Sequence, residues 1–261
     1  MAAENILFET DTSIDHYAVV ERMYEGRPAR VLFSGSKRAA QSGISLDDDP
    51  DLLFDYNQRL LELANGLYPK RVLVIGGGAF TLPMALIAAL PDATVDVVEL
   101  DSGLQPIAEE YFGLRQSQNL QIIFGDGRDF LQNTSTRYDM IILDVFSELA
   151  VPKQFLTLEF IALLWSRLTR AGCVAFNLIA SYQGRTAGLI KSQIAAYQQV
   201  FNQLDIYPAA YGLTSWLPQN LILVAQKEPN NDLKHYIRYA AIENIAASSE
   251  DVLHDEAIGI R

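Results

Sequence analysis

The spacing of apolar positions changes rhythm twice along the chain. Over residues 4–46, short apolar runs (NILFET, HYAVVERMY, ARVLFSG) alternate with the turn formers EGRP and SGSK, which predicts a small antiparallel sheet. The acidic loop SLDDDPD follows. Asp49 is placed as N-cap and Pro50 at the first position of a helix through LLFDYNQRLLELANGL that closes near Gly66 and Pro69. From Arg71 strands and helices alternate. RVLVI, TVDVVEL, LQIIF, YDMIILD and GCVAFNLIA read as strands. AFTLPMALIAAL, GLQPIAEEYFGL, a segment beginning GRDFLQ, the long PKQFLTLEFIALLWSRL and GRTAGLIKSQIAAYQQVF read as helices. Near-continuous apolar strands of this kind are expected where helices cover both faces of a parallel sheet. After Asp205, DIYPAAYG and WLPQNLILVAQK predict an antiparallel pair at the sheet edge, and NDLKHYIRYAAIENIAA a final amphipathic helix. The predicted organisation is an N-terminal β-domain over 1–48, an α/β domain over 49–247, and a polar, frayed tail over 248–261.

Composition narrows the partners. Nearly half of the 261 residues are apolar, so a large core can be buried. A net charge of −12 argues against nucleic acid and anionic membranes, which reward Lys and Arg; it is compatible with a cationic substrate, but plain solubility is the better reading of it. The single cysteine, Cys173, excludes an internal disulfide and reads as a core residue. His16, His235 and His254 are scattered without metal-ligand spacing, so no metal site is predicted. No stretch approaches the ~18 consecutive apolar residues of a membrane span, and MAAENILFETD lacks a basic leader; the expected location is the cytoplasm.

Ligands of open α/β sheets bind outside the carboxyl ends of the strands, and here those ends carry one kind of chemistry. The first ends in Gly76, Gly77 and Gly78, the second in Glu99 with Asp101 beyond, the third in Gly125, Asp126 and Gly127, the fourth in Asp144. Glycines let the backbone turn and come close to a ligand. Glu99 follows Gly76 by 23 residues, near the roughly 20 expected of an acid that accepts from ribose hydroxyls. Asp126 falls where an acid can accept from an adenine amino group. Thr81 occupies the third-glycine position of a dinucleotide fingerprint, and no Lys or Arg lies between Arg71 and Arg115. A phosphate-free, positively charged nucleoside of the adenosylmethionine type fits better. Tyr182, after the fifth strand, is a candidate for the acceptor pocket.

VLVIGGG, VVELD, GDGRDFL and YDMIILD together resemble the spermidine synthases and their methyltransferase-like relatives, over most of the chain. The resemblance implies a Rossmann-like class I methyltransferase fold, a mostly parallel seven-stranded sheet with an antiparallel edge hairpin, beside a small N-terminal β-domain. It implies that Glu99 holds the ribose of an adenosyl ligand, that Asp126 and Gly127 meet its adenine, and that Gly76–Gly78 lie beside its methionine-derived part. It further implies that Asp144 positions and deprotonates an attacking amine, which must be neutral to attack a sulfonium carbon. Family spermidine synthases read GGGDGG where this chain reads GGGAFT, placing Ala79 at an acidic position, and D-x-x-D-P where it reads DVFSEL, placing Ser147 at the second, diamine-binding acid with Glu148 as a substitute one residue on. The family's tyrosine–glutamine pair corresponds to Tyr17–Ala18 in HYA. DVFSELAVPKQFLTLEF is similar instead to spermidine-synthase-like proteins that lack the diamine-binding acids.

Three readings stay open. One is a transferase using S-adenosylmethionine to methylate a small acceptor. The second is an aminopropyltransferase using decarboxylated S-adenosylmethionine, with Glu148 replacing the lost acid. The third is a non-catalytic nucleoside-binding or interaction module. The exposed edges of the N-terminal sheet are compatible with a homodimer.

Overall fold

The computed structural model describes residues 4–35, 39–47, 52–146, 150–184, 187–210, 214–230, 241–243, 245–249 and 252–260. Four antiparallel strands form the first sheet in the order β1 (Asn5–Asp11), β2 (His16–Tyr24), β3 (Arg27–Ser34), β4 (Ala39–Ser45). The last of these, AAQSGIS, carries too few apolar residues to be read as a strand from sequence; pairing with β3 makes it one.

The second sheet has seven strands: β5 (Arg71–Ile75), β6 (Thr94–Glu99), β7 (Leu120–Phe124), β8 (Tyr138–Leu143), β9 (Leu168–Ala180), β10 (Gln203–Pro208) and β11 (Gln219–Gln226). Their spatial order is β10-β11-β9-β8-β5-β6-β7. The expected edge hairpin is present, and β11 inserts between β10 and β9, antiparallel to both. Along each strand, alternate side chains enter two separate cores. Val72, Val74, Val95, Val97, Met140 and Ile142 pack on one face of the sheet. Leu73, Ile75, Val98, Ile141 and Leu143 pack on the other. Helices α1 (Asp55–Leu67), α2 (Thr81–Ala89) and α3 (Leu104–Tyr111) cover the first face. Helices α4 (Gly127–Asn133), α5 (Leu158–Ser166) and α6 (Gly188–Gln198) cover the second. This two-sided burial is why the strands read as unbroken apolar runs.

Four expectations are corrected. Helix α1 starts at Asp55, later than predicted, because Leu52 bridges to Ile44 of β4 and Leu52–Phe54 are buried in extended backbone; the proposed cap at Asp49 and Pro50 lies outside the described residues. The long helix over 152–168 is broken. Lys153–Phe155 form a 3-10 turn, and α5 restarts where the Thr157 hydroxyl accepts from the Phe160 N–H, an N-cap bond that ends one helix and begins another. Residues 252–260 of the expected frayed tail are docked instead: Leu253 bridges to Thr157, and Asp255–Ile258 form a 3-10 turn beside the Lys153–Phe155 turn. Buried and bonded partners, absent from the local pattern, hold them there. Residues 231–240 of the expected final helix lie outside the described residues, and 241–243 and 245–247 are not helical.

Candidate functional site

Strand order reverses between β5 and β8, so their carboxyl ends diverge to helices on opposite faces and leave a crevice. Gly76 ends β5 with φ +95°, and a Cβ there would overlap the backbone carbonyl of Asp144, the residue after β8. Only glycine permits that approach. The Asp144 N–H in turn donates to the Ile75 carbonyl at 2.9 Å. Ends of two neighbouring strands are thus locked together at the crevice.

The four acidic or glycine-bearing strand ends do converge. Glu99 is buried, and its carboxylate accepts from Gly77 N–H (2.6 Å), Gly78 N–H (3.2 Å) and Asp101 N–H (2.8 Å). The acid therefore shapes the glycine turn before any ligand is considered, a role that the spacing argument did not contain. Asp126 caps α4: Oδ1 accepts from the N–H groups of Arg128 (2.8 Å) and Asp129 (3.1 Å), while Oδ2 accepts from Gln154 Nε2 at 2.6 Å. Gly127 lets α4 pack directly on Ile75, whose Cγ2 a Cβ would overlap.

Asp144 lies half-buried between two cavities. The first, of about 440 Å³, is lined among others by Tyr17, Gly76, Gly78, Glu99, Asp126, Gly127 and Gln154. The second, of about 410 Å³, is lined among others by Tyr24, Tyr56, Gly77, Asn177, Gln219 and Asn220. Gln41, Gly76, Gly78, Asp144 and Phe146 belong to both walls. Burial pushes the Asp144 carboxyl up to about 6, against hydrogen bonds from Asn177 and Tyr56 that favour its charged form; the nearby charge of Glu99 adds to the rise. A carboxylate poised there can exchange a proton near neutrality.

Four carboxylates (Asp15, Glu99, Asp126, Asp144) line the first cavity, and among the described residues no Lys or Arg lines it. Glu25, Asp55 and Asp144 line the second, again with no basic residue among the described ones. The described walls of both cavities favour cations over phosphates. Among the described residues no group of three or more His, Cys, Asp or Glu is arranged to hold a metal ion.

Ser147 and Glu148 lie outside the described residues. Tyr182 is not brought to the site. It packs against the α4–α6 core, and its N–H donates to the Ser215 carbonyl. Ala79, at the acidic position of the family pattern, is fully buried, and its N–H donates to Ser42 Oγ of β4 at 2.9 Å. Sequence reasoning missed Tyr56, Asn177, Asn220 and Gln154. Tyr56, followed by Asn57, stands beside Asp144, whereas Tyr17 bonds to Asp101. Asn177 carried a legible signal, as a lone amide inside the apolar run CVAFNLIA. Tyr56 carried none, because α1 approaches the crevice only through the fold.

A polyamine aminopropyltransferase of Vibrio vulnificus is 31% identical over 138 residues, which are 52% of this chain and 44% of that protein. The human eEF1A lysine and N-terminal methyltransferase is 27% identical over 181 residues, 65% of this chain and 24% of that one. The chain therefore matches less than half the length of either relative. A crystal structure of a probable spermidine synthase from Corynebacterium glutamicum superposes with a TM-score of 0.75 at 19% identity, over 94% of this chain and 97% of the other. Human methyltransferase-like protein 13, in complex with SAH, superposes with a TM-score of 0.58 at 24% identity, over 76% of this chain and 98% of the other. The fold is that of class I methyltransferases with an added N-terminal sheet. Relatives thus include both aminopropyl- and methyltransferases. Residues 53–235 match the spermine/spermidine synthase domain, and the chain belongs to that family.

Proposed function

We propose that the protein is a transferase that binds S-adenosylmethionine and methylates a small, cationic acceptor. The observation that carries this reading is Asp144, a carboxyl raised by burial, in the wall shared by two acid-lined cavities. The donor set fits an adenosyl sulfonium: carboxylates for its charge and hydroxyls, and a glycine turn open to close approach. Glu99 would accept from the ribose, Asp126 and Gly127 would border the adenine, and Gly76–Gly78 would border the amino-acid portion. When bound, the sulfonium supplies an activated methyl group. Asp144 takes a proton from the acceptor nitrogen, and Asn177 and Tyr56 hold its carboxylate in place. Positioning across the shared wall supplies the remaining rate.

Methyl rather than aminopropyl transfer is favoured by Ser147, which stands where the resemblance calls for the diamine-binding acid. The identity to the Vibrio aminopropyltransferase favours the second reading, in which decarboxylated S-adenosylmethionine is the donor. Calorimetry with S-adenosylmethionine, its decarboxylated form and methylthioadenosine separates the two. Binding of the decarboxylated form alone eliminates methyl transfer. No binding by any of the three at millimolar concentration eliminates both enzyme readings and leaves the non-catalytic module.

A further inference from the structure

The segment 252–260 is sequence-remote from the crevice, yet it holds one wall of the first cavity through a single buried cation. Arg128, at the start of α4, is 6% exposed at its side chain. Its Nη1 donates to the Gln154 carbonyl (2.7 Å) and to Thr157 Oγ1 (3.1 Å), and its Nη2 pairs with Asp255. Gln154 in turn donates to Asp126 Oδ2, so cavity wall, helix cap and guanidinium form one chain of bonds. The segment adds two bonds to the first turn of α5: Leu158 N–H donates to the Leu253 carbonyl (2.9 Å), and Asp255 N–H donates to the Glu159 side chain at Oε2 (3.0 Å). The Arg128 guanidinium also sits 5.7 Å from the centre of the Phe160 ring, which packs edge-on against Phe155 of the cavity wall.

A buried guanidinium needs a countercharge. The carboxylate bound to Arg128 belongs to the 252–260 segment, while its other bonds go to neutral oxygens of the loop that borders the cavity. We propose that Asp255 is a positioning residue of the adenosyl site: by neutralising and orienting Arg128 it fixes Gln154 and Asp126 on the cavity wall. The inference rests on the adenosyl reading of that cavity for its ligand, but not for its geometry.

Two measurements on the full chain test it. Hydrogen exchange of the amides of residues 152–158 needs no ligand; Asp255→Ala is expected to accelerate it, and unchanged exchange overturns the proposal. Calorimetry with S-adenosylhomocysteine is expected to show affinity falling about tenfold in the folded Asp255→Ala protein, with Asp255→Glu recovering part of it. The double variant Arg128→Met/Asp255→Leu removes the unpaired charge and restores thermal stability. Its affinity is expected to stay low, since Gln154 has lost its donor; wild-type affinity there overturns the proposal. If the unsubstituted protein does not bind S-adenosylhomocysteine, the adenosyl reading fails and the exchange measurement alone decides on Asp255.

Discussion

Asn177 Nδ2 donates to Asp144 Oδ1 at 2.9 Å, and Asn220 Nδ2 donates to Asn177 Oδ1 at 2.9 Å behind it. An amide relay from two adjacent strands, β9 and β11, thus aims a hydrogen bond at the carboxyl end of a third. It partly offsets the burial that holds Asp144 near 6. Removing the donor favours the neutral acid. Asn177→Ala is expected to move the Asp144 pKa further up, seen by carbon NMR titration of the carboxyl. The acidic limb of any transferase pH profile should shift to higher pH with it. A limb that stays in place excludes Asp144 as the proton acceptor.

Asp144 itself is held at a cost to stability. Its folded pKa lies above its unfolded value, so the folded state binds the extra proton between about 4 and about 6. Stability from this group is therefore lost as pH rises through that window, and the full cost of up to about 3 kcal/mol is present above it. Asp144→Asn is expected to raise the melting temperature at pH 8, to give no gain at pH 3.5, and to abolish transfer. A loss of stability at pH 8 contradicts the burial argument.

A cationic ligand beside Asp144 favours its ionised form. Binding of S-adenosylmethionine at pH 6 is therefore expected to release protons, and binding of uncharged methylthioadenosine to release fewer. Calorimetry in buffers of different ionisation enthalpy reads the difference, and Asp144→Asn should erase it.

Glu99 accepts from three backbone N–H groups. In Glu99→Gln one oxygen becomes an amide nitrogen facing those donors. The expected loss is about 1–3 kcal/mol of folding stability, together with weaker adenosyl binding. Urea unfolding measures the first and calorimetry the second.

Gly76→Ala tests the junction of β5 and β8. Its φ of +95° and the overlap with the Asp144 carbonyl leave no room for a methyl group. Unfolding in urea is expected to show a loss of at least about 2 kcal/mol, because backbone rather than a flexible side chain must move.

Several parts of this protein were legible as sequence. Strands buried on both faces announce themselves as apolar runs, and their ends announce themselves as abrupt glycines and acids: Gly76–Gly78, Glu99, Asp126 and Asp144 converge on one crevice because every parallel strand delivers its carboxyl end to the same edge. Strand alternation and the edge hairpin also determined the α/β class. Other features depend on contacts between distant segments and left no local trace. The break at Thr157 and the docking of 252–260 arise from bonds that α4, α5 and that segment exchange. Tyr56 meets Asp144 only because α1 packs over the crevice, and Tyr182 is withheld from it by packing against the opposite core. The carboxylates of Glu99 and Asp126 are engaged by backbone N–H groups of the turns they border, a use that spacing alone does not reveal. Chemistry at strand ends is local and follows from the chain; the partners that set its pKa and geometry come from other strands and helices, and only the folded sheet brings them together.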